Sequence, residues 1–321
     1  DKVLALECVL YDGSVVIFEN LNENQYLKKQ IQQDLEGSLY RFFSEKLSNP
    51  INQKNIRSEY PQASVHRRNS GYALDVLLDG FTDSELTGLN LSKLLTGSEG
   101  TLAFVTSITL ALDPTPPQEA VMVAAHYDSI EKCLRSVAPL MKHSLFTCEM
   151  MDTTILYSTK NNLNQAKNRF FLKGDPKGIL MLELRASSKQ ELQNELNSLI
   201  GTLEEMNLSY DFSILKGDEI QSALYLRSAG LGLLGNIVGD KKAVACIEDT
   251  AVPVEQLADY IEEFTSLMKQ YDQNPVYYAH AGAGELHLRP LLNLKKQNGV
   301  DQFKAITTAV AHLVKKFKGS M

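Results

Sequence analysis

The sequence lacks the signatures of several large protein classes. No apolar run among its 321 residues is long enough to span a bilayer, and no signal-peptide pattern opens it. No basic stripe interleaves with aromatics, and the net charge is -7, which argues against a nucleic-acid partner. Cysteine is scarce. Cys8, Cys133, Cys148 and Cys246 lie far apart and form no C-x-x-C pair, so this stretch carries neither an iron–sulfur cluster nor a zinc knot. They read as small buried hydrophobes in a reducing, cytoplasmic setting. No glycine loop ends in G-K-[ST], and no Ser/His/Asp or Cys/His triad is recognisable.

What is present is an ordinary globular composition, 44% hydrophobic and 22% charged, with chain enough for two domains. Asp113-Pro114-Thr115-Pro116-Pro117 halts regular structure and sets a boundary. Before it, Val3–Leu10 and Val15–Phe18 predict a hairpin through Asp12-Gly13, Ile31 to Leu47 predicts a helix, and Thr101 to Leu112 a strand. Asn49 to Ser70, with its His66-Arg67-Arg68, reads as loop and short helix. After the boundary, strands and helices alternate. Strand–helix–strand units recur at about Ala120–Met151, Gly178–Leu215 and Ala243–Tyr278. Helix starts are expected at Asp128 with Glu131 and at Ser188 with Glu191. A last helix, Asp301 to Lys318, is expected to cap at Gly319. One antiparallel or mixed sheet with helices on one face accommodates this pattern.

The stretch richest in chemistry is Tyr277 to Pro290, which holds two of the six histidines around Gly282-Ala283-Gly284. A hairpin turning at Ala283-Gly284 pairs His280 with His287 and Tyr278 with Arg289. Imidazoles so placed can share one metal ion, although two ligands are fewer than the three a catalytic zinc usually takes from protein. They can equally be ordinary histidines of a glycine-rich loop. Gly230-Leu231-Gly232-Leu233-Leu234-Gly235 matches G-x-G-x-x-G, and Glu248 and Asp249 fall near the spacing of a ribose-binding acid. Residues before Gly230 look helical and Gly239-Asp240 follow too soon, so the stretch reads instead as a flexible connection. Gly97-Ser98-Glu99-Gly100-Thr101 offers backbone N–H groups and hydroxyls to a ligand, or simply a tight turn. Arg227 or the Lys241-Lys242 pair could hold a carboxylate. Glu149, inside an apolar strand, must be paired or exposed, and no chemistry follows from its position.

Taken together, Asn69-Ser70-Gly71-Tyr72-Ala73-Leu74-Asp75, the run Leu94 to Thr106 and the hairpin Ala279 to Pro290 resemble the FAD-linked oxidases. These are the glycolate oxidase and D-lactate dehydrogenase relatives among flavoproteins of the vanillyl-alcohol oxidase type. The nearest variant is the large form fused to an iron–sulfur domain. The resemblance implies an α+β chain: residues 1–115 as the C-terminal half of a flavin-binding domain, and 116–321 as a cap domain of ferredoxin-like units with a mostly antiparallel sheet. It implies oxidation of a D-2-hydroxy acid of the lactate, glycolate or 2-hydroxyglutarate type, by hydride transfer to FAD. A histidine base and a divalent metal, Zn or Mn, would assist.

Carried over by position, Asn69, Gly71, Tyr72, Gly97, Ser98, Glu99, Gly100, Thr101 and Val105 would lie at FAD. His280 and His287 would ligate the metal, and Arg227 would face the substrate carboxylate. The family often has Asp where this chain has Ala283, Asn where it has Glu285, and a substrate-facing Asn where it has Arg289. A second arginine favours a dicarboxylate.

The chain begins without methionine and ends just after a helix. The family's phosphate loop belongs before Asp1. Its Glu-His-Gly segment, with a third metal ligand and the catalytic base, belongs after Met321, as do any iron–sulfur clusters. The expectation is therefore a piece that is inactive and flavin-free alone, cytoplasmic or peripheral to a membrane through an electron acceptor the sequence leaves open. The contrasting expectation is a non-catalytic ferredoxin-like binding or regulatory module.

Overall fold

The computed structural model describes residues 2–68, 71–82, 89–160, 162–233 and 237–321. The chain divides into two units, one formed by Asp1–Tyr60 with Asn69–Thr115, the other by Pro61–Arg68 with Pro116–Met321.

In the first unit, β1 (Val3–Val9) lies between β2 (Val15–Phe18) and β3 (Phe104–Leu110), all antiparallel. Alternation puts Leu6, Cys8, Val16 and Phe18 on the face that packs with Tyr40, Leu47 and Leu78. The helices are α1 (Glu23–Ile31), α2 (Leu35–Ser48), α3 (Pro50–Glu59), α4 (Leu74–Thr82) and the short α5 (Ser92–Leu95). The helix expected over Ile31 to Leu47 begins only at Leu35, as α2, and α1 stands as a further helix before it. Asp34 accepts from the Gly37 N–H and starts α2 afresh. Asn49 likewise caps α3, with Pro50 in its first turn, which is the helix of a stretch expected to be loop and short helix.

The second unit is built on a seven-stranded sheet in the order β7-β4-β6-β5-β10-β11-β9. Its strands are β4 (Glu119–Tyr127), β5 (Leu145–Asp152), β6 (Gly178–Ala186), β7 (Asp211–Lys216), β9 (Ile247–Ala251), β10 (Val276–His280) and β11 (Glu285–Arg289). A separate ribbon joins β8 (Lys242–Ala243) to β12 (Leu291–Leu292). All paired strands of the large sheet are antiparallel.

One face of this sheet presents Val121, Val123, Met150, Leu180, Leu182, Ala279, Leu286 and Leu288 to a large core. That core is closed by α6 (Ile130–Leu140), α9 (Lys189–Met206), α11 (Leu257–Gln270) and α12 (Gln297–Lys316). Helices were expected on this side alone. The opposite face also carries an apolar half, Met122, Ala124, Met151, Ile179 and Met181. Exposing such a surface would forfeit ~25 cal/mol per Å2, and α7 (Thr153–Lys160) and α10 (Asp218–Leu233) cover it; the short α8 (Leu163–Ala166) follows α7. Beyond that patch, towards β11 and β9, the same face becomes polar and carries the candidate site.

Local detail explains several boundaries. Ser129, not Asp128, caps α6, accepting from the Lys132 N–H. Ser188 caps α9 as expected, and Glu191 reaches the Ser187 N–H. The glycines from Gly230 are not a flexible connection at first: α10 runs through to Leu233. Gly230 is needed for close approach, since a Cβ there would lie 2.5 Å from Ile155 Cγ2. Gly235 lies outside the described residues. At the end of α12, Lys318 (φ 52°) takes the left-handed position expected of Gly319. Gly319 is demanded by space instead, with Ala251 O 2.2 Å from where its Cβ would stand.

Candidate cation and substrate site

The site begins with the hairpin β10–β11. Its strands pair Tyr278 with His287 and His280 with Glu285, two residues out of the register expected from a turn at Ala283-Gly284. The reason is steric. A two-residue hairpin turn of that hand would need positive φ at Ala283, which its Cβ resists. The chain instead closes through a 3-10 turn, Ala281–Ala283, with Gly284 alone left-handed at φ 68°. Gly284 also touches the neighbouring backbone: a Cβ would fall 2.1 Å from Val252 O, while Val252 N–H donates to Gly284 O. Because the displacement is an even number of residues, every side chain keeps its face. His280 and His287 become diagonal rather than direct neighbours, with ring centroids 5.3 Å apart and planes at 76°. Arg289 stands opposite Val276 rather than Tyr278.

Two glutamates complete this face. Glu149, on β5, accepts from Arg227 Nη2 at 2.6 Å and lies 3.0 Å from His280 Nδ1. Glu248, on β9, lies 2.7 Å from His287 Nδ1 and accepts from Arg289 Nε at 2.5 Å. Each glutamate therefore joins one histidine to one arginine. Arg227, from α10, lies 4.3 Å over the Tyr278 ring. It also donates to Ala279 O, while its buried Nε has no hydrogen-bond partner.

Asp249 Oδ1 approaches His287 Nδ1 at 3.0 Å, and Arg67 pairs with the nearly buried Glu285 at 3.0 Å. Four carboxylates thus meet three guanidiniums, a surplus that suits a cation. Burial pushes the Glu248 carboxyl up, but hydrogen bonds from His287 and Arg289 outweigh it and hold the group below its ordinary range. The hydrogen bond to Glu248 raises the His287 imidazole.

A metal fits this donor set. Both imidazoles spend Nδ1 on a carboxylate, which leaves Nε2 of each as a lone-pair donor on the same face. Glu248, Asp249 and His287, with one ligand atom each within 4.8 Å of one another, form a separate group that excludes His280.

The other expected residues separate into groups. In the first unit, Tyr72 Oη hydrogen-bonds Thr101 Oγ1 at 2.8 Å, and Thr101 closes onto Ser98 O. Gly71 therefore sits beside the Gly97–Thr101 turn. Gly97, Glu99 and Gly100 all have positive φ. Open space lies where Cβ atoms of Gly71, Gly97 and Gly100 would be, so conformation rather than crowding calls for glycine there. Val105 is exposed on β3, and Asn69 lies outside the described residues. Lys242 donates to Ile237 O, away from the histidines in sequence and on the small ribbon.

Glu149 and Glu248 escaped the sequence reading. For Glu149 the signal existed, a carboxylate within an apolar strand, which must be paired if buried. Glu248 drew notice only through a dinucleotide spacing that does not apply.

D-2-hydroxyglutarate dehydrogenase of Haemophilus influenzae is 30% identical over 99% of this chain, which spans 32% of that protein. The enzyme of the same name from Pseudomonas putida is 29% identical, again over 99% of the chain and 31% of the relative. A D-lactate dehydrogenase of Anaerostipes hadrus is 27% identical over 63% of the chain and 42% of that protein. The chain thus spans about a third of the length of the curated relatives it matches most broadly.

Among solved structures, p-cresol methylhydroxylase with substrate bound superposes with a TM-score of 0.55 over 99% of this chain and 56% of its own. The 4-ethylphenol oxidase of Gulosibacter chungangensis gives 0.54, over 99% and 57%. At 10% identity these two establish a shared fold. Residues 116–321 match the family described as FAD linked oxidases, C-terminal domain, and the chain belongs to that family.

Proposed function

We propose that this chain supplies the cation- and substrate-binding face of a FAD-dependent dehydrogenase acting on a D-2-hydroxy acid with a second carboxylate, of the 2-hydroxyglutarate type. The observation that carries the proposal is the gathering of two histidines and two arginines on one sheet face, each arginine beside a histidine. Family membership favours it over a non-catalytic ferredoxin-like module.

His280 and His287 would hold a divalent cation through Nε2. Without it, the surplus carboxylate repels an anionic substrate; with it, the same face attracts one. Such a cation would supply Lewis-acid polarisation of a 2-hydroxy acid's hydroxyl. Arg227, joined to His280 through Glu149, suits the adjacent carboxylate, and Arg289, joined to His287 through Glu248, the distal one. Tyr278 packs beneath the Arg227 guanidinium and limits its movement. FAD would supply the hydride acceptor for oxidation at C2. Gly97 to Thr101, Val105, Asn69, Gly71 and Tyr72 of residues 1–115 would hold it, through an exposed glycine turn whose backbone stands open to a ligand.

Calorimetric titration of the zinc-loaded chain with D-2-hydroxyglutarate and with D-lactate tests the reading. Arg289→Leu is expected to weaken diacid binding about 10- to 100-fold, the worth of a charge-assisted hydrogen-bonded pair, and lactate far less. Equal losses for both acids, or binding of the diacid that ignores zinc, would contradict it.

A further inference from the structure

From the two carboxylate–imidazole contacts we infer that Glu149 and Glu248 are positioning residues, which hold His280 and His287 as Nδ1–H tautomers with both Nε2 atoms presented to one shared divalent cation. The inference rests on the proposed metal reading of the hairpin and adds what orients its ligands. Free imidazoles on a strand can turn about two side-chain bonds and carry their proton on either nitrogen. Here neither freedom remains. Glu149 brackets His280 Nδ1 with both oxygens, at 3.1 and 3.0 Å, and Glu248 meets His287 Nδ1 at 2.7 Å. A carboxylate accepts only, so the proton must sit on Nδ1 and the lone pair on Nε2.

The glutamates are themselves fixed. Arg227 shares Glu149 Oε2 with His280, Arg289 takes the Glu248 oxygen that His287 leaves, and β5 and β9 flank the hairpin on its two sides. One acid thus reaches in from each neighbouring strand. Two His–Glu–Arg chains result, arranged so that ligand orientation and substrate-anchor orientation share a carboxylate. A carboxylate behind a ligating histidine sets the ring and raises its basicity, and losing it typically weakens metal binding about 10- to 100-fold.

Asp249 offers the competing arrangement. It stands 3.0 Å from the same His287 Nδ1, and a cation seated among Glu248, Asp249 and His287 would displace that proton and leave His280 aside.

Long-range proton–nitrogen NMR on the 15N-histidine-labelled chain, at a pH where both rings are neutral, reads the tautomers directly. A zinc titration of wild type, Glu149→Gln, Glu248→Gln and Asp249→Asn follows in the same samples. Expected are Nδ1–H tautomers for His280 and His287 and zinc-induced shifts at both Nε2 atoms. Zinc affinity should fall about 10- to 100-fold in each glutamine variant and stay essentially unchanged in Asp249→Asn. Nε2–H tautomers in the wild type overturn the inference without any variant, should a glutamine variant fail to fold. Zinc binding that needs both histidines but ignores both glutamines overturns the inference alone. Loss of binding in Asp249→Asn moves the cation to the Asp249 cluster and overturns it too. If millimolar zinc perturbs neither histidine, the metal reading falls and the inference falls with it.

Discussion

At the level of single residues, the chain spends its charged side chains in two ways. Most ion pairs sit at the surface, such as Lys132 with Asp128 or Lys316 with Glu263, and contribute about 0–1 kcal/mol each. The pairs around the histidines are different, because Arg227 and Glu149 are largely withdrawn from water. Removing Arg227 strands Glu149 as a half-buried charge, so Arg227→Leu should cost stability as well as affinity, whereas Arg289→Leu should cost mainly affinity. Lys318 offers a cleaner residue-scale test. It occupies the left-handed position of a Schellman turn, with its N–H donating to Lys315 O and that of Gly319 to Val314 O. Lys318→Gly should stabilise the second unit by about 1 kcal/mol, read from the urea midpoint. The residues themselves were only partly legible in sequence. His280, His287, Arg227 and Arg289 could be singled out from their pattern and the family resemblance. Their glutamate partners come from strands more than 35 residues distant, a proximity that only folding reveals.

Among the elements, the hairpin shows how a face can be right while its register is wrong. The period of two fixes which side chains share a side, and any even displacement preserves that. Loop closure decides the rest, and here Ala283 excludes the tighter turn while Gly284 lies against Val252. Gly284→Ala should therefore cost more than about 2 kcal/mol, by left-handed strain and backbone overlap together, and should broaden the His280 and His287 resonances. A thermal melt with no loss would refute that placement.

The junction of β5 with α7 and β10 makes a second test. Asp152 accepts from the Ile155 and Tyr277 N–H groups, yet burial pushes its carboxyl up to about 6 from 3.8. A carboxyl raised by folding stabilises most below its unfolded value, and the gain is lost as pH rises through the folded one. Relative to Asp152→Asn, the wild type should lose about 2 kcal/mol of unfolding free energy between about pH 4 and pH 7. A flat difference would contradict the assignment. Strands and helices with strong periodicity, such as β4, β6 and α9, were legible from the sequence. The start of α2 at Leu35, and the placement of α7 and α10 over the second sheet face, depended on a cap and on tertiary cover that periodicity does not encode.

For the whole molecule, the two units carry different parts of one proposed chemistry, and each can be described by itself. Residues 116–321 form the family's C-terminal domain around a continuous antiparallel sheet. Among the described residues no helix is long and apolar enough to cross a membrane. The chain spans about a third of the length of the relatives named for D-2-hydroxyglutarate. The face that carries the candidate site is set by seven strands whose order no local pattern announces.

The most direct measurement is anomalous diffraction at the zinc edge from crystals grown with zinc and D-2-hydroxyglutarate. The account predicts one peak about 2 Å from both Nε2 atoms of His280 and His287, with the diacid's carboxylates reaching Arg227 and Arg289. A peak among Glu248, Asp249 and His287, or a diacid bound away from both arginines, would contradict it.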